Sequence, residues 1–226
     1  MAWARPEFDR QTVNKAGKAL VDPQVTDQEL YHALEVINNW RAAHSFPLNT
    51  LQMGLRTKAR SIDPRAIIAQ RTKRLSSVAL KLNLHSGMRL SQMQDIGGCR
   101  AILLGMTQVS ELEQKFSSAR SNHQLANVDD YIHAPKASGY RGIHLNYKYF
   151  SDRNSTYNEL KIEVQLRSRF QHAWATSVET VGTFTDQKPK SGLGSPDWLR
   201  FFALMGAAIS MRERTGLDPF PRTVTG

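Results

Sequence analysis

Lys73, Ser77 and Lys81 recur every four residues within RTKRLSSVALK, the stretch from Arg71 to Lys81. On a helix a four-residue step drifts by roughly 40°, so these three groups share one face, with Leu75, Val78 and Leu82 opposite. A hydroxyl between two ammonium groups suits a polyphosphate: the charges neutralise oxygens and the serine donates a hydrogen bond. The same pattern also describes an ordinary solvated basic face, and Arg71 falls off that face in a regular helix. A second group is DIGGCR, in which Asp95 precedes two glycines and Arg100 opens an apolar run. A carboxylate at such a strand edge can hold Mg²⁺ with few protein ligands, although it also fits a simple turn. In a third group, period-two alternation puts Lys161, Glu163, Gln165 and Arg167 on one strand face and Ile162, Val164 and Leu166 on the other. Glu163 and Asp95 converging on a metal among many cations would make a phosphoryl-transfer site.

The elements that would position these groups follow from capping and periodicity. Thr26 and Glu29 form a capping box, and Leu30, Ala33, Leu34, Ile37 and Trp40 recur at helical spacing to about His44. A short basic helical piece, Leu51 to Arg60, follows. The pattern predicts another helix from Ser61 to about Leu82. Cys99 to Leu104 reads as a core strand and Gln108 to Ser121 as a helix. Tyr140–Phe150 and Lys161–Ser168 read as the two strands of a hairpin. Phe170 to Val181 is helical, Thr185 to Asp197 is a Pro/Gly/Ser-rich loop, and Trp198 to Met211 reads as a buried helix. The expected architecture is α/β (α+β), a small mixed five-stranded sheet flanked by helices. The expected divisions are an N-terminal helical region over 1–60, a core over 61–212 and a frayed tail over 213–226, with the chain cut from a longer protein.

Taken in order, R-x-K-x-x-x-S-x-x-x-K, D-x-x-G-x-R, DYI-x-x-PK-x-x-GY-x-x-x-H and E-x-Q-x-R span Arg71 to Arg167. They resemble the synthetase domain of the RelA/SpoT proteins, a nucleotidyltransferase-like fold, with the likeness extending to about Glu179. The resemblance implies transfer of pyrophosphate from ATP to a ribose 3′-hydroxyl. Arg71 and Arg100 would sandwich the adenine, Lys73, Ser77 and Lys81 would hold the triphosphate, and Asp95 and Glu163 would bind Mg²⁺. Glu163 would also help to deprotonate the attacking hydroxyl. Tyr140 would stack on the acceptor base, with Lys136, His144, Gln165 and Arg167 as further acceptor contacts. Without the resemblance, His144 also reads as a core histidine satisfied by backbone. His172 and Trp174 read as packing residues. No His-Asp pair of the family's hydrolase type is seen, so synthesis without degradation is expected. Ser138, where Asn usually precedes Gly-Tyr, and Gly142, where Ser is usual, depart from the family pattern beside the acceptor.

The chain of 226 residues carries 30 Lys and Arg against 20 Asp and Glu, a formal charge of +10. Such a balance favours phosphate-bearing partners. The single Cys99 permits no internal disulfide and suits a reducing cytoplasm; the N-terminus has no apolar signal segment and no stretch is long enough to span a bilayer. Charge, together with Arg56, Lys58 and Arg60, favours the 3′-terminal adenosine of tRNA as acceptor, as in toxin-like relatives and phage-defence fusions with an antitoxin or C-terminal regulatory region. GDP, GTP or an adenine nucleotide is the alternative, making an alarmone. A non-catalytic nucleotide- or RNA-binding module is the reading from another class, and the intact Asp95 and Glu163 count against it.

Overall fold

The computed structural model describes residues 2–118, 120–187 and 192–215. Three helices lead: α1 (Arg10–Ala19), α2 (Asp27–Ala43) and α3 (Ser45–Ile62). Asp9 caps α1 by accepting from Thr12 N, and Thr26 and Glu29 close the capping box that starts α2. Strand β1 (Ile67–Thr72), helix α4 (Leu75–Leu84), strand β2 (Gly97–Leu103) and helix α5 (Met106–Ser117) come next. Strands β3 (Gln124–Asp130), β4 (Ile143–Lys148) and β5 (Lys161–Ser168) are followed by α6 (Arg169–Phe184) and α7 (Pro196–Glu213). The sheet order is β1-β2-β5-β4-β3, with β2 and β5 parallel and every other pair antiparallel.

Because side chains alternate across a strand, this register gives the sheet two chemically distinct faces. Cys99, Ala101 and Leu103, with Ile162, Val164, Leu166 and Leu145, pack on Leu48, Leu51 and Leu55 of α3 and on Val109, Leu112 and Phe116 of α5. The other face carries the polar set. Glu163 lies opposite Gly98 on one side and Asn146 on the other; Gln165 lies opposite Arg100 and His144. A second apolar cluster joins α1, α2 and α4 at one end, through Val13, Ile37, Val78 and Leu82. At the other end α6 and α7 enclose Tyr140, Trp174 and Phe202.

Three expectations are corrected. Residues 67–72 form a strand, not the start of a helix: β1 is an edge strand with one partner, so its burial pattern does not alternate cleanly and its β-branched Ile67, Ile68 and Thr72 decide the matter. The helix begins only at Leu75, after Arg74 in extended conformation. The polar segment β3, QLANVDD, completes the sheet as the opposite edge strand, and α1 adds a helix that the sequence pattern did not mark. The C-terminal helix is half exposed rather than buried: Phe202, Ala203 and Gly206 face inward, while Phe201 and Met211 are 47% and 62% exposed. Of the expected tail, residues 216–226 lie outside the described residues, as do 188–191 of the expected loop.

Leu145, fully buried on the apolar face of β4, tests this layering. Leu145→Ala should lower unfolding free energy by about 2–5 kcal/mol in urea titrations, with an unchanged slope.

Candidate active site

Asp95 stands just before β2, and two lysines reach it from different elements. Lys73 Nζ, from the junction between β1 and α4, donates to Oδ2 at 2.7 Å, and Lys81 Nζ, from α4, donates to Oδ1 at 2.9 Å. The buried Lys73 is itself fixed through its backbone: its N–H donates to Ile96 O, and its carbonyl accepts from Arg41 Nε. Burial would raise the Asp95 carboxyl, but the two ammonium groups more than offset it and bring the group down to about 2. Ser77 lies one helical turn before Lys81 on α4. The expected Lys73–Ser77–Lys81 helix face is therefore built differently: only Ser77 and Lys81 are helical, and Lys73 arrives from the turn. Arg71 misses the helical face because it stands on strand β1, opposite Gly98.

Across the sheet, Glu163 closes a ring of hydrogen bonds. His144 Nδ1 lies 2.9 Å from Glu163 Oε1, and His144 Nε2 meets the Tyr140 hydroxyl. Arg167 Nη2 donates to that hydroxyl at 2.9 Å and to Gln165 Oε1 at 2.8 Å, and Gln165 Nε2 donates back to Glu163 Oε2. Arg167 donates a hydrogen bond to the tyrosine oxygen, which leaves the tyrosine's own O–H to donate to His144 Nε2; in that tautomer Nδ1 carries the hydrogen donated to Glu163. Burial raises the Glu163 carboxyl, and the hydrogen bonds from His144 and Gln165 outweigh it, leaving the group below its usual range. His144 is thus satisfied by side chains, not by backbone. Arg71, Asp95, Gly98, Arg100, Glu163 and Gln165 line one cleft, so the two arginines and both acids come together, and Lys73 and Lys81 reach it through Asp95.

The acceptor side departs from expectation at Tyr140. It is 4% exposed, its ring meets Tyr131, His144 and Trp174 edge-on, and the Arg167 guanidinium lies 5.1 Å from its centroid. It does not present an open face. Gly142 explains the inward position: at φ +149, a Cβ there would lie 3.3 Å from the Tyr140 hydroxyl and 3.4 Å from Arg167 Cγ. The half-buried aromatic at this lip is Tyr131, with Lys136 Nζ 4.4 Å from its ring centroid. Tyr131 was not singled out in the sequence, nor was Asp129, which accepts from Asn146 Nδ2 at 3.0 Å beside the polar face. The DYI triplet marked the first; the polarity of NVDD hid the second. Arg167 is 2% exposed, and its Nε and Nη1 have no partner among the described residues. Trp174 is buried among aromatics, as expected, whereas His172 is half buried with Nδ1 unpartnered among the described residues. The basic stretch Arg56–Arg60 belongs to α3, on the layer behind the sheet, away from the cleft.

Residues 70–187, just over half the chain, match the family described as the region found in RelA / SpoT proteins. The chain belongs to the RelA/SpoT family. Among its relatives, the GTP pyrophosphokinase YjbM of Bacillus subtilis (strain 168) is 30% identical over 115 residues, 51% of this chain and 50% of that protein. The match therefore spans about half the length of that relative. Two solved structures share the fold. The small alarmone synthetase 1 of Bacillus subtilis bound to its product pppGpp aligns with a TM-score of 0.63 at 20% identity, covering 74% of this chain and 88% of that one. The small alarmone synthetase 2 of the same organism aligns with a TM-score of 0.65 at 17% identity, covering 78% and 94%. Within this RelA/SpoT chain no helix among the described residues is long and apolar enough to cross a membrane.

The Asp95 cluster makes a prediction about acid stability. A carboxyl lowered from 3.8 to about 2 stabilises the fold fully above its ordinary range, and that contribution is lost as pH falls through 2. Asp95→Asn should therefore cost about 2–4 kcal/mol at pH 7, where two lysines lose their shared partner. The gap to wild type should narrow below pH 4 and close near pH 2. Urea unfolding at a series of pH values reads this directly; a gap independent of pH would remove the ion pairs from the account.

Proposed function

We propose that this chain transfers the β,γ-pyrophosphate of ATP to the ribose 3′-hydroxyl of a guanosine nucleotide. The observation that carries the reading is the pair of acids lining one cleft, with Asp95 held between Lys73 and Lys81, and Glu163 held by His144 and Gln165. The donor side would take ATP with its base between the Arg71 and Arg100 guanidiniums and its triphosphate along Lys73, Ser77 and Lys81. Among the described residues no group of three or more His, Cys, Asp and Glu could cage a metal. Two hard carboxylates facing a polyphosphate fit Mg²⁺, which takes few protein ligands and completes its shell with phosphate and water. Asp95 and Glu163 would hold it, and it would supply charge neutralisation on the transferring group.

The reaction balances without another reactant. The acceptor oxygen attacks the β-phosphorus of ATP, the bond from that phosphorus to the α-phosphate oxygen breaks, and AMP leaves. Glu163 orients the 3′-hydroxyl and takes its proton. A carboxylate held below its usual range is a weak base for an alcohol, so the proton moves as the new P–O bond forms and the cations lower the alcohol's own pKa. The Glu163 ring fixes both carboxylate oxygens before substrate arrives, which is the preorganisation such a step needs.

On the acceptor side, Tyr131 and Lys136 form the accessible lip, a half-buried aromatic ring with the Lys136 ammonium over it. The guanosine reading is supported by the relative named a GTP pyrophosphokinase and by the neighbour bound to pppGpp. The toxin-type reading, with the 3′-terminal adenosine of tRNA as acceptor, rests on the net charge of +10 once Arg56–Arg60 are placed behind the sheet.

γ-labelled ATP and Mg²⁺, offered separately with GDP, GTP, ATP and deacylated tRNA, test the proposal. Label is expected in GDP or GTP. Label in tRNA alone would overturn the acceptor, and label in none would overturn the reaction. Glu163→Gln should slow transfer by about 10²–10⁴-fold while ATP still binds. Tyr131→Ala should raise the acceptor KM and leave that of ATP unchanged; an unchanged acceptor KM removes Tyr131 from the lip.

A further inference from the structure

The acceptor lip is seated on a helix that carries none of its chemical groups. The turn from Lys136 to Tyr140 is closed by two backbone hydrogen bonds, Gly139 N to Lys136 O at 2.8 Å and Lys136 N to Tyr140 O at 3.3 Å. At its tip Gly139 has φ +87, a left-handed conformation that favours glycine. A Cβ on Gly139 would lie 2.6 Å from Phe202 O and 3.0 Å from Ala203 Cα, both on α7. From the other side, a Cβ on Gly206 would lie 2.3 Å from Gly139 O and 2.7 Å from Gly139 Cα. Two backbones therefore meet where neither residue can carry a side chain. The opposing atoms are main chain, so they cannot swing aside as a flexible side-chain end would.

The same contact is held from behind. Trp174 Nε1 donates to Phe202 O at 2.8 Å, and Trp174 and Phe202 pack around Tyr140. The position of α7 thus sets the turn, and the turn sets Lys136 at one end and Tyr140 at the other. Tyr140 in turn holds His144, which holds Glu163. The donor side is built from β1, β2 and α4, and Lys73, Asp95 and Lys81 are tied to one another rather than to α7.

We propose that Gly206 of α7 is a positioning residue for the acceptor: it sets the Lys136–Tyr140 turn through Gly139, without touching substrate. This inference rests on the reading of that turn as the acceptor side. Gly206→Ala must push the Gly139 backbone away from α7, because real Cβ atoms do not approach to 2.3 Å. A displacement of this size at a substrate-positioning element raises acceptor KM about tenfold or more. The ATP KM should stay within about twofold.

The test measures both KM values, in the full chain, with whichever acceptor takes label from ATP, and adds calorimetric binding of Mg·ATP alone. A selective rise in acceptor KM with unchanged Mg·ATP binding supports the inference. Equal changes in both KM values, a fall in kcat alone, or no change overturns it, since loss of folded protein lowers the rate without separating the two substrates. Should Gly206→Ala fail to unfold cooperatively, Trp174→Phe decides by the same criteria: it removes the hydrogen bond to Phe202 O and keeps an aromatic ring. Leu204→Ala, on the exposed side of α7, should change neither KM. Failure of the guanosine reading appears separately, in wild type, as label missing from GDP and GTP.

Discussion

A carboxylate on the central strand of a sheet, covered from water, must be hydrogen-bonded on both oxygens or it will not stay charged. Glu163 meets that constraint through a closed circuit, from His144 to Tyr140 to Arg167 to Gln165 and back. Arg167 Nη2 donates to both the Tyr140 hydroxyl and Gln165 Oε1, which turns the amide nitrogen of Gln165 toward Glu163. Three strands' worth of register serves this one group: β5 supplies three members at alternate positions, β4 supplies His144 opposite Gln165, and β2 contributes Gly98, which leaves space over the acid. The loop before β4 adds the tyrosine.

The sheet's two faces divide the labour. Apolar packing against α3 and α5 stabilises the strands, which frees the other face to hold charge at a cost that burial on both sides would forbid. The charge there is unevenly balanced. Asp95 is neutralised twice, whereas Arg167 is buried with two nitrogens unpartnered among the described residues. An excess of buried cation is unfavourable in the free protein and favourable once an anion arrives, as electrostatic preorganisation requires. The overall charge of +10 is therefore only partly a surface property.

The polar face of β5 was legible because period-two alternation is unambiguous in a strand with partners on both sides, and the hairpin of β4 and β5 followed from its turn-rich connection. Edge strands gave weaker signals. In β1, one neighbour leaves the outer residues exposed and blurs the alternation that marks a strand; the resulting misassignment carried Lys73 onto a helix face. In β3 polar residues interrupt Leu125, Ala126 and Val128 without a clean alternation, and only pairing with β4 makes it a strand. Tyr140 was misplaced for a different reason. Its burial depends on Trp174 and Phe202, contributed more than thirty residues downstream, a contact no local pattern contains.

The departures at Ser138 and Gly142 belong to the same long-range arrangement. A side chain at 142 would have to adopt φ +149 and bring its Cβ to 3.3 Å from the Tyr140 hydroxyl. Crowding of that degree pushes the hydroxyl away from Arg167 and His144, which would open the ring around Glu163. With glycine the hydroxyl stays inside, and burial keeps the phenol protonated by raising its pKa, so it can continue to donate to His144. Ser138 sits at the turn tip beside Gly139, and its Oγ is buried without a partner among the described residues. A hydroxyl, with a single O–H donor, loses less by such burial than an amide with two N–H donors and a carbonyl to satisfy. Both departures thus favour a turn pressed inward against α7, and the Lys136–Tyr140 turn of this chain is shaped by packing against that helix.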